Sequence, residues 1–245
     1  MKKHIPNLIT MLNLFSGCVA VVFGVLNQLE VAALFVGLGI FFDFFDGLAA
    51  RLLRVQSDLG VQLDSLADMI TSGLVPGIVM FQLLMLSEGA SLDVFNRPYA
   101  EIPLLPFAGF IITIASGYRL AKFNIDENQT SSFIGLPTPA NALLIISFPL
   151  ILLNHNNVFL NNILLNSWFL IGTTIVSAFL LNAKIPLFAL KFKTWGFKEN
   201  ALRYVFIVVS VVLLITLKFL AIPAIIGFYV ISSIFSNMAV KKNGI

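Results

Sequence analysis

Four aspartates carry most of the chemistry this sequence can perform. Asp43 and Asp46 stand three residues apart and Asp64 and Asp68 four apart, each pair set among Phe, Leu, Ile and Val. On a helix both spacings put the pair on one face, so each pair is a two-carboxylate claw. These are four of only 12 acidic residues in the chain, and an ionisable group in apolar surroundings costs several kcal/mol and ordinarily marks function. Crowded carboxylates repel one another, and hard, oxygen-seeking divalent cations are their natural counter-charge. Two other outcomes are open to the same residues: pairing with Arg51, Arg54 and Arg119, or an ion pathway across a membrane. A pathway should continue to the far side, yet the outer halves of these runs carry almost no ionisable groups.

Small residues accompany the acids at fixed places. Together they read D-x2-D-G-x2-A-R-x8-G-x3-D-x3-D over Asp43, Asp46, Gly47, Ala50, Arg51, Gly60, Asp64 and Asp68. At ordinary residue usage a chance match is on the order of 10⁻⁹ to 10⁻¹¹ per start position. Gly47 and Ala50 share a helix face and let another body approach the backbone; helix packing is the ordinary use of such a pair. Gly60, without a Cβ, suits the turn into the next hydrophobic run. Simple pairing of the acids with arginines leaves these positions unexplained.

The elements that must position these residues are membrane helices. The chain is 58% hydrophobic, with 24 Phe and 11% charged residues, against about 25% charged in soluble domains. This excludes a water-soluble domain. A spanning helix needs roughly 20 apolar residues, and about eight such stretches are expected, near 7–27, 31–54, 62–87, 102–124, 138–154, 162–183, 200–219 and 221–240. The fifth is short, and the break around Lys218 to Pro223 could make the last two one interrupted span. The expectation is an all-α integral membrane protein forming a single polytopic domain over 1–245, with the chemistry at 43–68 and less diagnostic helices from about 155 onward.

Charge sets the orientation. Lys2, Lys3, Arg51, Arg54, Arg119, Lys122, Lys184, Lys191, Lys193, Lys198, Arg203, Lys241 and Lys242 fall on one side of these spans, and only Arg97 and Lys218 on the other. The positive-inside rule then puts both termini and the acidic claws at the cytoplasmic face. The net charge of +3 reflects topology and anionic lipid rather than nucleic-acid binding. The basic connection Lys184 to Arg203, with Trp195 among the charges, is expected to lie on headgroups. The one cysteine, Cys18, excludes a disulfide framework and is expected to be a buried small apolar side chain. The first run has no small-residue cleavage pattern and reads as a retained helix. His4 and His155 are isolated.

The eight-residue pattern resembles the signature of the CDP-alcohol phosphatidyltransferases, and most of the first two-thirds of the chain is similar to their phosphatidylserine synthase branch. The opening Ile5-Pro6-Asn7-Leu8-Ile9-Thr10, with Asn13, Leu14 and Gly17, looks like the start of those enzymes. Tyr118-Arg119-Leu120-Ala121-Lys122-Phe123-Asn124 resembles their R-L-A-R-F-N segment, with Lys122 where Arg is common. Gly135-Leu136-Pro137-Thr138-Pro139-Ala140 resembles their G-L-P-x-P-A segment.

The resemblance implies the family's helical fold and assigns roles. Asp43, Asp46 and Asp64 become ligands of two divalent cations, Mg²⁺ or Mn²⁺, and Asp68 the general base. Gly47, Ala50, Arg51 and Gly60, with the polar stripe Asn7, Thr10 and Asn13, would accommodate the CDP-lipid. Interhelical hydrogen bonding is the alternative use of that stripe. Arg119 would meet the acceptor's carboxylate; Lys122 is less suited, because Lys does not replace Arg at a bidentate site, and a topological anchor is the alternative use of Arg119. The implied reaction moves the phosphatidyl group of CDP-diacylglycerol to L-serine and releases CMP, in a homodimer at the cytoplasmic (inner) membrane. Glycerol 3-phosphate, inositol phosphate or choline as acceptor is the nearest alternative; divalent-cation transport is a distant one.

Overall fold

The computed structural model describes residues 4–90, 103–125, 133–155, 157–188 and 196–242. Ten α-helices occur among them: α1 (Ile5–Val25), α2 (Leu29–Leu53), α3 (Asp58–Asp68), α4 (Val75–Ser87), α5 (Phe110–Ile125), α6 (Thr138–Asn154), α7 (Val158–Leu164), α8 (Ser167–Asn182), α9 (Phe197–Leu217) and α10 (Ala221–Lys242). α3 and α4 form one rod through a π-helical turn, Met69–Leu74. Pro76 at the start of α4 has no N–H to give the preceding turn, which favours a wider turn there.

Helix directions follow from a few contacts. Asn13 meets Thr71 and Asp68, and Gln82 donates to the Gly24 carbonyl, so α1 runs alongside α3–α4. Thr10 donates to Asp46, which fixes α2 antiparallel to α1. Ser65 bonds Asn124 and Thr113 bonds the Gly73 carbonyl, so α5 returns antiparallel to α3–α4. Ser87 meets Ser167 at one end of α8, and Asn182 donates to the Ala115 carbonyl at the other. The acidic residues, Arg119 and Asn182 therefore gather at one end of the bundle.

α4 is its centre, with every residue from Val75 to Met85 buried, as expected of a helix that is apolar all round. Lipid is as apolar as Leu, so close backbone approach must supply much of the cohesion. A Cβ on Gly109 would lie 2.7 Å from the Phe81 nitrogen, so the chain entering α5 touches α4 backbone to backbone.

Among the described residues four runs are long and apolar enough to span: Ile5–Val25, Leu29–Leu53, Asp58–Ser87 and Asn200–Met238. A fifth arises if α7 and α8, bent by 58°, count as one. The expected number of eight is not established. α6, at 17 residues, is a shorter apolar helix, and α5 has 16. The run Asn200–Met238 is not one rod. The rings of Phe206 and Phe228 stack with centroids 5.8 Å apart, whereas a continuous helix would separate these positions by roughly 33 Å. The chain folds back at Lys218, whose φ is 50°, so α9 and α10 form a hairpin and the expected division there is what the helices adopt.

Cys18 is exposed on α1, contrary to expectation; its helix face points away from the packed neighbours, where an apolar thiol sits as well in lipid as in a core. Lys2, Lys3, Arg97, Lys191, Lys193 and Trp195 lie outside the described residues, as do residues 189–195 of the expected headgroup-facing connection.

Candidate active site

The acidic site is built at the junction of α2 and α3. α2 ends at Arg54, which takes the left-handed conformation, and the Val55 N–H reaches back to the Ala50 carbonyl at 3.0 Å, closing the helix in a Schellman-like cap. Three residues later Ser57 caps α3, its Oγ accepting from the Gly60 N–H at 3.1 Å. The positive φ of the turn is thus supplied by Arg54, not by Gly60 as the sequence suggested. Gly60 instead lies inside the first turn of α3, where a Cβ would stand 3.2 Å from Ser57 Oγ and 3.4 Å from Asn7 Oδ1. Its value is close approach of α1.

This reversal brings carboxylate oxygens of Asp43, Asp46 and Asp64 within 4.8 Å of one another. Asp64 Oδ1 is buried and has no hydrogen-bond partner among the described residues. Three converging carboxylates with an orphaned oxygen form an all-oxygen donor set of the kind a hard divalent cation takes. Arg51 Nε donates to the Gly47 carbonyl at 2.9 Å, and Arg119 Nε is buried with no hydrogen-bond partner among the described residues. Asp68 stands outside the trio. It is 8% exposed and accepts from Asn13 Nδ2 at 3.3 Å.

Beside the trio opens a cavity of about 680 Å³. Asp46, Asp64, Asn7, Thr10, Gly47, Ala50, Arg51 and Gly60 all line it. Six of the seven residues expected to meet a CDP-lipid, all but Asn13, therefore line one cavity. At Gly47 an added Cβ would have only the Arg51 guanidinium for a neighbour, at 4.0 Å. The missing side chain opens the cavity rather than packing a helix. Asn13 does not line this space. It is fully buried and spends its amide on Asp68 and Thr71, the hydrogen-bonding use of the polar stripe.

A second cavity, about 280 Å³, is lined by Arg119, Lys122, Phe123, Ile134, Leu181, Asn182 and Lys184. Phe123 lines both cavities, which makes it a shared wall. Asn182 and Lys184 had no signal in the sequence beyond their place in a basic connection. They arrive through a long-range pairing: β1 (Phe133–Ile134) runs antiparallel to β2 (Pro186–Leu187), and the Leu136 N–H donates to the Leu180 carbonyl at 2.8 Å. Ser57 and the π-helical Thr71 were also passed over; a Ser at the third position before Gly60 was the available signal for the cap.

A helical bundle with several membrane-spanning runs, a carboxylate trio at one end and a polar cavity beside it defines a polytopic membrane protein with a partly buried acidic centre. Its sequence relations are specific. A profile of the CDP-alcohol phosphatidyltransferase family matches residues 3–180, and the chain belongs to that family. It is 34% identical over 152 residues to the CDP-diacylglycerol–serine O-phosphatidyltransferase of Bacillus subtilis (strain 168), covering 60% of this chain and 76% of that one. To the Helicobacter pylori (strain ATCC 700392 / 26695) protein of the same name it is 30% identical over 235 residues, covering 94% and 89%. To the archaetidylserine synthase of Methanothermobacter thermautotrophicus it is 31% identical over 146 residues, covering 59% and 57%.

Proposed function

We propose that the chain transfers the phosphatidyl group of CDP-diacylglycerol to the hydroxyl of L-serine, giving phosphatidylserine and CMP. The observation that carries this is the 680 Å³ cavity, whose wall holds two of the three clustered aspartates together with Gly47, Ala50, Arg51 and Gly60. The activities by which the relatives above are named support serine as acceptor.

In this reading the nucleotide enters between α1, α2 and α3. Gly47 leaves room for it, Arg51 offers a charge-assisted donor, and Asn7 and Thr10 offer polar edges. Asp43, Asp46 and Asp64 would hold two divalent cations, Mg²⁺ or Mn²⁺, which supply charge stabilisation for the diphosphate and its leaving group when bound. The acyl chains lie among the helices in the bilayer. Serine occupies the cavity of Arg119, whose guanidinium takes the carboxylate with Lys122 and Lys184 nearby. Asp68 accepts the proton of the serine hydroxyl as its oxygen bonds to the lipid-linked phosphorus and the bond from that phosphorus to CMP breaks.

One observation favours a second reading. Lys184 adds a third cation to the acceptor cavity, and three cations suit a phosphate-bearing acceptor such as glycerol 3-phosphate. The asymmetry of Lys and Arg supports a cytoplasmic location for this end of the bundle and both termini, and homodimerisation is proposed from the family resemblance alone. The test is CMP release from CDP-diacylglycerol by the purified protein with Mn²⁺ or Mg²⁺, comparing L-serine, glycerol 3-phosphate, inositol phosphate and choline. Serine-dependent release is expected; release with a phosphate acceptor instead would replace the first reading by the second. Mass measurement in nanodiscs reads the oligomeric state.

A further inference from the structure

We propose that Thr71 and Asn13 are positioning residues for Asp68, a buried two-link chain that aims the carboxylate at the acceptor hydroxyl. The proposal rests on the reading of Asp68 as the base. Thr71 Oγ1 donates to Asn13 Oδ1 at 2.8 Å, and Asn13 Nδ2 donates to Asp68 Oδ1 at 3.3 Å.

The chemistry of the three groups fixes the direction of the chain. An ionised carboxylate only accepts, so the amide must present its NH₂ to Asp68. Its oxygen then faces Thr71, and the hydroxyl there must donate. Without that hydroxyl the amide loses the bond that fixes its direction, and either its oxygen meets the carboxylate or the buried Oδ1 is left without its partner, both unfavourable for buried polar groups. Thr71 and Asn13 are both fully buried, and neither lines the large cavity, so their effect on the reaction must pass through Asp68.

The surroundings hold the chain in place. Thr71 belongs to the π-helical turn that begins directly after Asp68, and the wider turn sets which way its side chain points; such turns recur at functional sites. On the other side stand two glycines. A Cβ on Gly39 would come within 2.8 Å of Asn13 Oδ1, and one on Gly17 within 3.1 Å of the Thr71 nitrogen. Three helices thus close on two polar side chains and leave the hydrogen bonds to decide which end of the amide faces Asp68, which is how a base is held to the narrow geometry its reaction needs.

The experiment uses the full-length protein in detergent or nanodiscs and measures kcat, the KM for CDP-diacylglycerol and for serine, and the melting temperature. Thr71→Val keeps the shape and deletes the hydroxyl. It is expected to lower kcat on the order of 10- to 100-fold while KM for CDP-diacylglycerol stays within about twofold, and Thr71→Ser restores the rate to within about threefold of the original. In an Asn13→Leu background the Thr71→Val loss should vanish, because the link it acts through is gone. Wild-type kcat in Thr71→Val overturns the proposal, as does a loss that persists in full on Asn13→Leu or tracks a fall in melting temperature. Asp68→Asn separates the two levels. If it remains active, the reading of Asp68 as base fails; if it is inactive while Thr71→Val is not, only the positioning chain fails.

Discussion

Thr10 Oγ1 lies 2.6 Å from Asp46 Oδ2, tying α1 to the acidic end of α2. The same hydroxyl is 3.1 Å from the Pro6 carbonyl, and with one proton to give it favours the charged acceptor. One oxygen of Asp46 is thus committed, which orients the carboxylate and leaves its other oxygen for the trio. Thr10→Val should lower kcat/KM about tenfold, the loss of one charged-group hydrogen bond of about 1.5 kcal/mol, and raise the Mn²⁺ concentration needed for half-maximal CMP release. Thr10→Ser should behave as wild type in the same titration.

If the trio holds the cations, it should admit no substitute. Asp43→Asn, Asp46→Asn and Asp64→Asn each remove one charge from an all-carboxylate donor set, and each should reduce CMP release at least about 10³-fold, since cation stabilisation of the diphosphate is worth several kcal/mol. Insertion depends on the apolar runs and should be unchanged, as read by yield in the membrane fraction and a monodisperse size-exclusion peak. Chelation should silence the unmodified protein, and added Mn²⁺ or Mg²⁺ should restore it.

Gly47 distinguishes a cavity wall from a helix contact. With only the Arg51 guanidinium near an added Cβ, Gly47→Ala is expected to leave the melting temperature unchanged or raise it slightly, since Ala exceeds Gly in helix preference by about 1 kcal/mol. The KM for CDP-diacylglycerol should rise several-fold, and more for Gly47→Val. A fall in melting temperature with unchanged KM would return Gly47 to a packing role.

The parts of this arrangement that were readable in advance are those written locally. The three- and four-residue spacings of the aspartates, the small residues between them and the apolar runs on either side depend only on helix geometry and on the cost of charge in lipid. Gly47, Ala50 and Arg51 fell on one wall for the same reason. What was not readable depends on which distant segments meet. Asn13 looked equally able to face a nucleotide or a helix, and only the arrival of Thr71 from the π-helical turn decided it. Asn182 and Lys184 reach the Arg119 cavity through a two-residue strand pairing with partners about 50 positions away, which no periodicity announces. Length and apolarity alone do not establish the expected eight spans among the described residues, because α5 and α6 are short and α7 and α8 are bent against each other.

Gly135 makes that strand pairing possible, and with it the acceptor cavity. Its φ is +75°, and a Cβ there would stand 2.6 Å from the Leu181 carbonyl and 3.1 Å from that of Leu180, so an L side chain is opposed both by backbone conformation and by contact. Its N–H donates to the Ile185 carbonyl at 3.0 Å, holding the segment that carries Asn182 and Lys184 to the one that carries Ile134. Gly135→Ala should cost about 1–3 kcal/mol of stability, the range for forced overpacking, seen as a lower melting temperature. If the cavity receives the acceptor, the same substitution should raise the KM for serine more than that for CDP-diacylglycerol, because Leu181, Asn182 and Lys184 line the former space and none of them lines the latter. Arg119→Gln, which leaves the backbone alone, should reproduce the effect on serine KM by about tenfold or more, the loss of a charge-assisted carboxylate contact, without lowering the melting temperature as Gly135→Ala does. Equal effects on both KM values would detach this cavity from the acceptor.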